Sequence, residues 1–115
     1  MNADLSRLTL GTAPDSWGVW FDKDPHQVSW QQYLDEVPRA GYVWTELGPP
    51  GFLPQDPAEL RDELARRDLK VSGGFCFAAL HHGKTGLDRA VEEFGQVCKR
   101  ISAVGGKYVV HVPEQ

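Results

Sequence analysis

The sequence predicts an α/β protein built from parallel (β/α) units, with four strands and three helices in a single domain spanning residues 1–115. Short apolar segments that begin at Leu8, Tyr42, Lys70 and Tyr108 alternate with stretches of helical period. That alternation makes right-handed βαβ crossovers and a parallel sheet. Glycines at Gly41 and Gly105-Gly106 stand as stops between a helical stretch and the next apolar run. The repeat suits a closed (β/α)8 barrel, which takes ~250 residues. The chain therefore supplies about half of one, ending after the fourth strand with no fourth helix.

Each element has its own signals. Leu8–Ala13 reads as a strand closed by the turn formers Pro14, Asp15 and Ser16, and the aromatic segment Trp17–Phe21 follows it. Ser29 and Gln32 form a capping box ahead of a helix whose apolar positions Trp30, Tyr33, Leu34 and Val37 share one face. Pro38 lies inside that pattern and predicts an early end or a kink, since an interior proline costs ~3 kcal/mol. Tyr42–Leu47 is the second strand, and Gly48–Gln55 a loop. Asp56 as N-cap, Pro57 at N1 and Glu59 at N3 start the second helix. Leu60 and Leu64 face inward there, with Asp62–Arg66 and Glu63–Arg67 as outer pairs. Lys70–Phe77 is the third strand, in which Gly73-Gly74 marks a close approach of backbone or ligand. The third helix runs from a Thr85 cap to about Val104, with Leu87, Ala90, Val91, Phe94, Val97, Cys98, Ile101 and Val104 at helical spacing. Tyr108–Val112 is the fourth strand.

Composition excludes several classes of function. With 41% hydrophobic and 24% charged residues the balance is that of an ordinary globular domain. A net charge of -4, with basic pairs only at Arg66-Arg67 and Lys99-Arg100, argues against nucleic-acid and anionic-membrane partners. No apolar run approaches the ~20 residues of a membrane span. Met1–Leu5 lacks the pattern of a signal peptide, so a cytoplasmic location is expected. Cys76 and Cys98 have no metal or C-x-x-C spacing and are expected to stay reduced.

The candidate site centres on Glu46, the one ionisable residue of the second strand, just before Gly48-Pro49-Pro50. In parallel α/β sheets ligands bind where the strand C-termini open. Glu46 is read as an acceptor for substrate hydroxyls, against a strand-end carboxylate paired with a neighbour. Trp17 and Trp20 form an apolar wall over a ring, against simple loop packing. His81 reaches the ligand face or is solvated, and His82 shares those alternatives. His111 points to the ligand face or is a satisfied core imidazole. Glu114, near the end, is expected to be disordered, and His26 to lie on the surface. A phosphate site at Gly73-Gly74 or Gly105-Gly106 is disfavoured because neither is a full Gly-rich loop opening a helix.

The blocks Gly11–Trp20, containing Pro14-Asp15-Ser16-Trp17-Gly18, and Ala40–Pro49, containing Thr45-Glu46-Leu47-Gly48-Pro49, resemble the opening half of the xylose-isomerase-like TIM-barrel family, as do Gly51–Pro57 and Leu69–Phe75. Within it they are most similar to the inosose dehydratases of myo-inositol breakdown and their sugar-phosphate isomerase/epimerase relatives. The resemblance runs from about Leu8 to Val112, and departs at Pro38 and at Asp68, where a glycine often closes the helix. It implies a lyase or isomerase that uses a divalent metal, Mn or Co, on a polyol or keto-sugar. The metal polarises a carbonyl and a carboxylate removes the adjacent proton. The family's metal-binding and proton-shuttling residues come from the second barrel half, beyond Gln115. For this chain the resemblance therefore implies no catalytic or metal-binding residue and no metal bound to it alone, and the substrate-binding candidates remain those read from the residues themselves, Trp17, Glu46, His81 and His111.

Two classes of function follow: part of a metal-dependent inosose dehydratase or sugar isomerase, or a non-catalytic half-barrel that pairs with itself or with a complementary chain. Two identical halves would duplicate Glu46 and His111 but still lack the family's metal-holding Asp and Glu.

Overall fold

A computed structural model describes residues 4–114. Of the Met1–Leu5 stretch read for a signal-peptide pattern, Met1–Ala3 lie outside the described residues. In chain order the elements are β1 (Gly11–Thr12), a 3-10 turn (Pro14–Trp17), α1 (Trp30–Arg39), β2 (Trp44–Thr45), α2 (Pro57–Ala65), β3 (Lys70–Val71), β4 (Gly73–Ala78), a second 3-10 turn (Leu80–His82), α3 (Gly83–Ala103) and β5 (Tyr108–Pro113).

The strands are all parallel, but there are five of them in two small sheets, in the orders β1-β2-β3 and β4-β5. The expected third strand is split at Ser72. Before the break Lys70 and Val71 pair with β2, and after it Gly73 pairs with Tyr108 of β5. Successive residues Ser72 and Gly73 both face Tyr108, so the side-chain alternation slips by one, as at a bulge. Backbone hydrogen bonds bridge the break, from Leu47 N to the Gly73 carbonyl and from Lys107 N to the Ser72 carbonyl, at 3.0 and 2.9 Å. β1 and β2 are shorter than the apolar runs that announced them, because pairing begins only at Gly11 and Trp44.

All three helices end in the same way. Gly41, Asp68 and Gly105 take left-handed φ values of 96°, 53° and 83°. In each case the next residue's N–H reaches back to a carbonyl one turn inside: Tyr42 to Val37, Leu69 to Leu64, and Gly106 to Ile101. This is the Schellman arrangement, which satisfies the last orphan carbonyls and turns the chain into a strand. Asp68 occupies the position that the other two helices give to glycine, and a short polar side chain tolerates that conformation. Pro38 does not end α1 early: the helix runs through it to Arg39, and Ala40 and Gly41 N–H groups still return to the Glu36 and Pro38 carbonyls. The Ser29 hydroxyl accepts from Gln32 N as expected, but the Gln32 side chain turns to Glu36 instead of back to the cap. α3 starts at Gly83 without a Thr85 cap, since the 3-10 turn has already wound the chain. Of its expected inner stripe, Ala90 and Ile101 are buried while Leu87, Val91 and Cys98 are exposed. Arg67 pairs with Glu63 and with Asp35 of α1, and Arg66 pairs with Glu63 rather than Asp62.

The helices cover one face of the sheets. The core joins Tyr33, Leu34 and Val37 of α1, Leu60 and Leu64 of α2, Val71, and Ile101 of α3. Thr45 is fully buried within it, and its hydroxyl lies 2.6 Å from the Tyr33 phenol oxygen. Because Thr45 also donates to the Glu46 carbonyl at 2.8 Å, the Tyr33 phenol is the donor to Thr45. Tyr33→Phe is therefore expected to lower stability by only about 1 kcal/mol in chemical denaturation, since Thr45 keeps a partner. Burial, ahead of the nearby Asp15 and Glu46 carboxylates, pushes the Tyr33 phenol well above its ordinary range. An unfolded tyrosine loses its proton near pH 10, so above that the native state binds more protons than the unfolded one and stability falls as pH rises. The contribution is complete below about pH 10, and Tyr33→Phe is expected to remove that part of the alkaline loss.

Among the described residues no helix is long and apolar enough to cross a membrane.

Candidate ligand pocket at Glu46

The sheet face opposite the helices is open, and it is where Glu46 points. Thr45 is turned to the helices by its bond to Tyr33, so strand alternation turns Glu46 to the other side. Its backbone stays in the sheet through a 2.9 Å bond from its N–H to the Thr12 carbonyl. A cavity of about 220 Å³ opens here, beyond the C-terminal ends of β1 and β2. Trp20, Phe75, Phe77 and Val112 supply apolar walls, while Asp15 and Glu46 bring carboxylates. A shallower depression on the other side of Glu46 is lined by Thr12, Trp44, Ser72 and Tyr108.

Two local devices hold the cavity's rim. Gly18 caps the first 3-10 turn at φ 77°, and the N–H groups of Gly18 and Val19 return to Asp15 and Pro14 carbonyls. Val19 is buried as a result, and Trp20 stands out beside Glu46. Gly48, at φ 71°, packs directly on the Pro14 ring, which locks the first turn against the loop after β2.

The four residues singled out from sequence do not gather in one place. Trp17 lies off the cavity: its indole N–H donates to Glu36 Oε2 at 2.7 Å, and its ring meets Tyr33 edge-on at 5.3 Å. Those two bonds to Glu36, the first from Gln32 and the second from Trp17, hold the Glu36 carboxyl below its usual range. His81 is exposed on the second 3-10 turn, edge-to-face against His82 with ring centroids 4.2 Å apart. His111 faces α3, with its ring 5.9 Å from Phe94 and Nε2 3.4 Å from the Ala78 carbonyl. Glu114 is held by its N–H to the Ala78 carbonyl at 3.1 Å, so the expectation of disorder there is corrected. Glu46 alone of the four lines the cavity, joined by Trp20 in place of Trp17.

Sequence reading missed Asp15, Phe75, Phe77, Tyr108 and Val112. The signal was the period of two. Once Val112 lines the cavity, Val110 and Tyr108 share its face and His111 must turn away.

The divalent metal that the resemblance implies does not fit these residues. Among the described residues no three His, Cys, Asp or Glu side chains converge to hold an ion. Burial raises the Cys76 thiol above its ordinary range.

No protein-family model matches the chain. It is 33% identical over 111 residues to an inosose dehydratase of Salmonella typhimurium, a match covering 94% of this chain and 35% of that protein. It is 36% identical over 76 residues to an inosose dehydratase of Lacticaseibacillus casei, covering 64% of this chain and 24% of the relative. An inosose dehydratase of Mesomycoplasma hyopneumoniae is 27% identical over 109 residues, with 92% and 34% covered. The chain spans about a third of the length of these curated relatives, and is similar to inosose dehydratases along nearly all of its own.

Proposed function

We propose that the chain is the N-terminal part of a cytoplasmic, inosose-dehydratase-like (β/α) enzyme, the first portion of a barrel, and that its pocket at Glu46 binds a keto-polyol. The observation that carries this reading is the composition of the cavity: aromatic walls from Trp20, Phe75 and Phe77 around the carboxylates of Glu46 and Asp15. A cyclic keto-polyol has apolar C–H faces and a rim of hydroxyl donors. The aromatic walls take the first and the carboxylates accept from the second. At about 220 Å³ the cavity is smaller than the ~300–1,000 Å³ sites of drug-sized ligands, as suits a single ring. This part of the enzyme binds and orients. The proton transfer and any metal belong to residues outside it, and none is assigned here.

Titration of the chain with 2-keto-myo-inositol, followed by tryptophan fluorescence, tests the proposal. Trp20 is 64% exposed and borders the cavity, so a saturable change is expected, and Trp20→Phe should abolish most of it. No saturable change up to the solubility limit of the ligand would overturn the reading.

A second reading, the non-catalytic half-barrel that pairs with another copy or a complementary chain, has a separate observation in its favour. Leu8 and Leu10 beside β1, and Val110 in β5, leave apolar side chains exposed at both sides of the strand assembly, where unpaired edges invite a further strand.

A further inference from the structure

The Glu46 carboxylate has a fixed neighbour that the substrate reading does not use. Tyr108 opens β5, and its phenol oxygen lies 3.3 Å from Glu46 Oε1 and 3.1 Å from Ser72 Oγ. Ser72 Oγ in turn lies 3.4 Å from the Thr45 carbonyl oxygen. An ionised carboxylate only accepts, and a phenol has a single proton to give. With Glu46 ionised, Tyr108 is the donor to it; the same phenol lies within donating reach of Ser72 Oγ, and the Ser72 hydroxyl itself donates to the Thr45 carbonyl.

The ring has a seat as well as a bond. A Cβ at Gly73 would collide with the Tyr108 carbonyl oxygen and stand 2.7 and 2.8 Å from ring carbons Cδ2 and Cε2. A bare strand position lets the aromatic ring lie against the backbone, so Tyr108 is placed by its neighbours although much of its surface is open. The bulge at Ser72 brings both the hydroxyl and the bare glycine under the same ring.

We propose that Tyr108 is a positioning residue for Glu46: its phenol, beside Ser72 and seated on Gly73, engages Oε1 and leaves Oε2 to accept a hydroxyl of a polyol ligand. A strand-end carboxylate otherwise rotates freely at the mouth of the cavity, and anchoring one oxygen removes that freedom before the ligand arrives. The inference deepens the keto-polyol reading and rests on it for the ligand measurement alone.

Two readouts test it. In ligand-free chain labelled with carboxyl-13C glutamate, the Glu46 signal, assigned by its disappearance in Glu46→Gln, is expected to shift in Tyr108→Phe. Tyr42→Phe, whose ring packs near Trp17, serves as the control and is expected to leave it in place. An unmoved Glu46 signal in Tyr108→Phe overturns the proposal, whatever the ligand. The second readout is a double-mutant cycle on the affinity for 2-keto-myo-inositol. Tyr108→Phe alone is expected to weaken binding about three- to tenfold, and to cost nothing further in a Glu46→Ala background, where no acceptor is left for the phenol. An equal loss in both backgrounds would show that Tyr108 acts independently of Glu46, and overturns the proposal. If the wild-type chain takes up no 2-keto-myo-inositol, the substrate reading fails and the carboxyl signal alone decides the positioning role.

Discussion

Gly48→Ala is expected to destabilise the chain by about 2–5 kcal/mol and to open the cavity at Glu46. Two costs act together. Gly48 sits at φ 71°, where a Cβ is strained, and that Cβ would lie 2.5 Å from Pro14 Cγ and 2.9 Å from Pro14 Cβ. Pro14 is fully buried and its ring has no rotamer to move into. Relief requires the first 3-10 turn to move away from the loop after β2, and that turn carries Asp15 and leads into Trp20. Urea denaturation measures the first effect and Trp20 fluorescence the second. A loss under about 1 kcal/mol would mean that the Pro14 turn yields, and that the packing of Gly48 on Pro14 does not shape the cavity.

Glu46→Gln is expected to weaken binding of 2-keto-myo-inositol about tenfold while leaving stability within about 0.5 kcal/mol. The substitution keeps the shape of the side chain and removes its charge. Hydrogen bonds to an ionised group contribute roughly 1.5–3 kcal/mol against 0.5–1.5 for neutral pairs, a difference of about one decade in affinity. Stability is spared because Glu46 is only partly buried and Tyr108 can donate equally well to an amide oxygen. Isothermal titration of both proteins gives the comparison. Unchanged affinity in Glu46→Gln would remove the carboxylate from the binding account and leave the aromatic walls as the whole of it.

How much of this was legible in the sequence depends on the range of the forces involved. Local signals were read well: the Ser29 and Asp56 caps accept from Gln32 N and Glu59 N as expected, and Gly41 and Gly105 end their helices in the left-handed conformation. Glu46, which lines the cavity, stands out in the sequence because a carboxylate at the end of a buried strand breaks the apolar pattern. What was missed depends on long-range register. Nothing local to Lys70–Ala78 says that its pairing passes from β2 to β5 at Ser72, so one strand was expected where there are two. A slip of one residue reverses every side chain that follows. Within β5 the period of two sets His111 opposite Val110 and Val112, so it faces α3 instead of the cavity. Trp17 and Trp20 lie on one irregular turn, and only the Gly18 cap decides that Trp17 reaches Glu36 while Trp20 borders Glu46. Leu87 and Val91 keep helical period, yet no described element covers them, so period alone did not report burial.

In the proposed reading the cavity at Glu46, and not one of the histidine positions, receives the ligand. Intermolecular NOEs between 2-keto-myo-inositol and the chain locate the ligand directly. Cross-peaks are expected from the ligand's ring protons to the aromatic protons of Trp20, Phe75 and Phe77. Cross-peaks to His81, His82 or His111 instead, or none at saturating ligand, would contradict it.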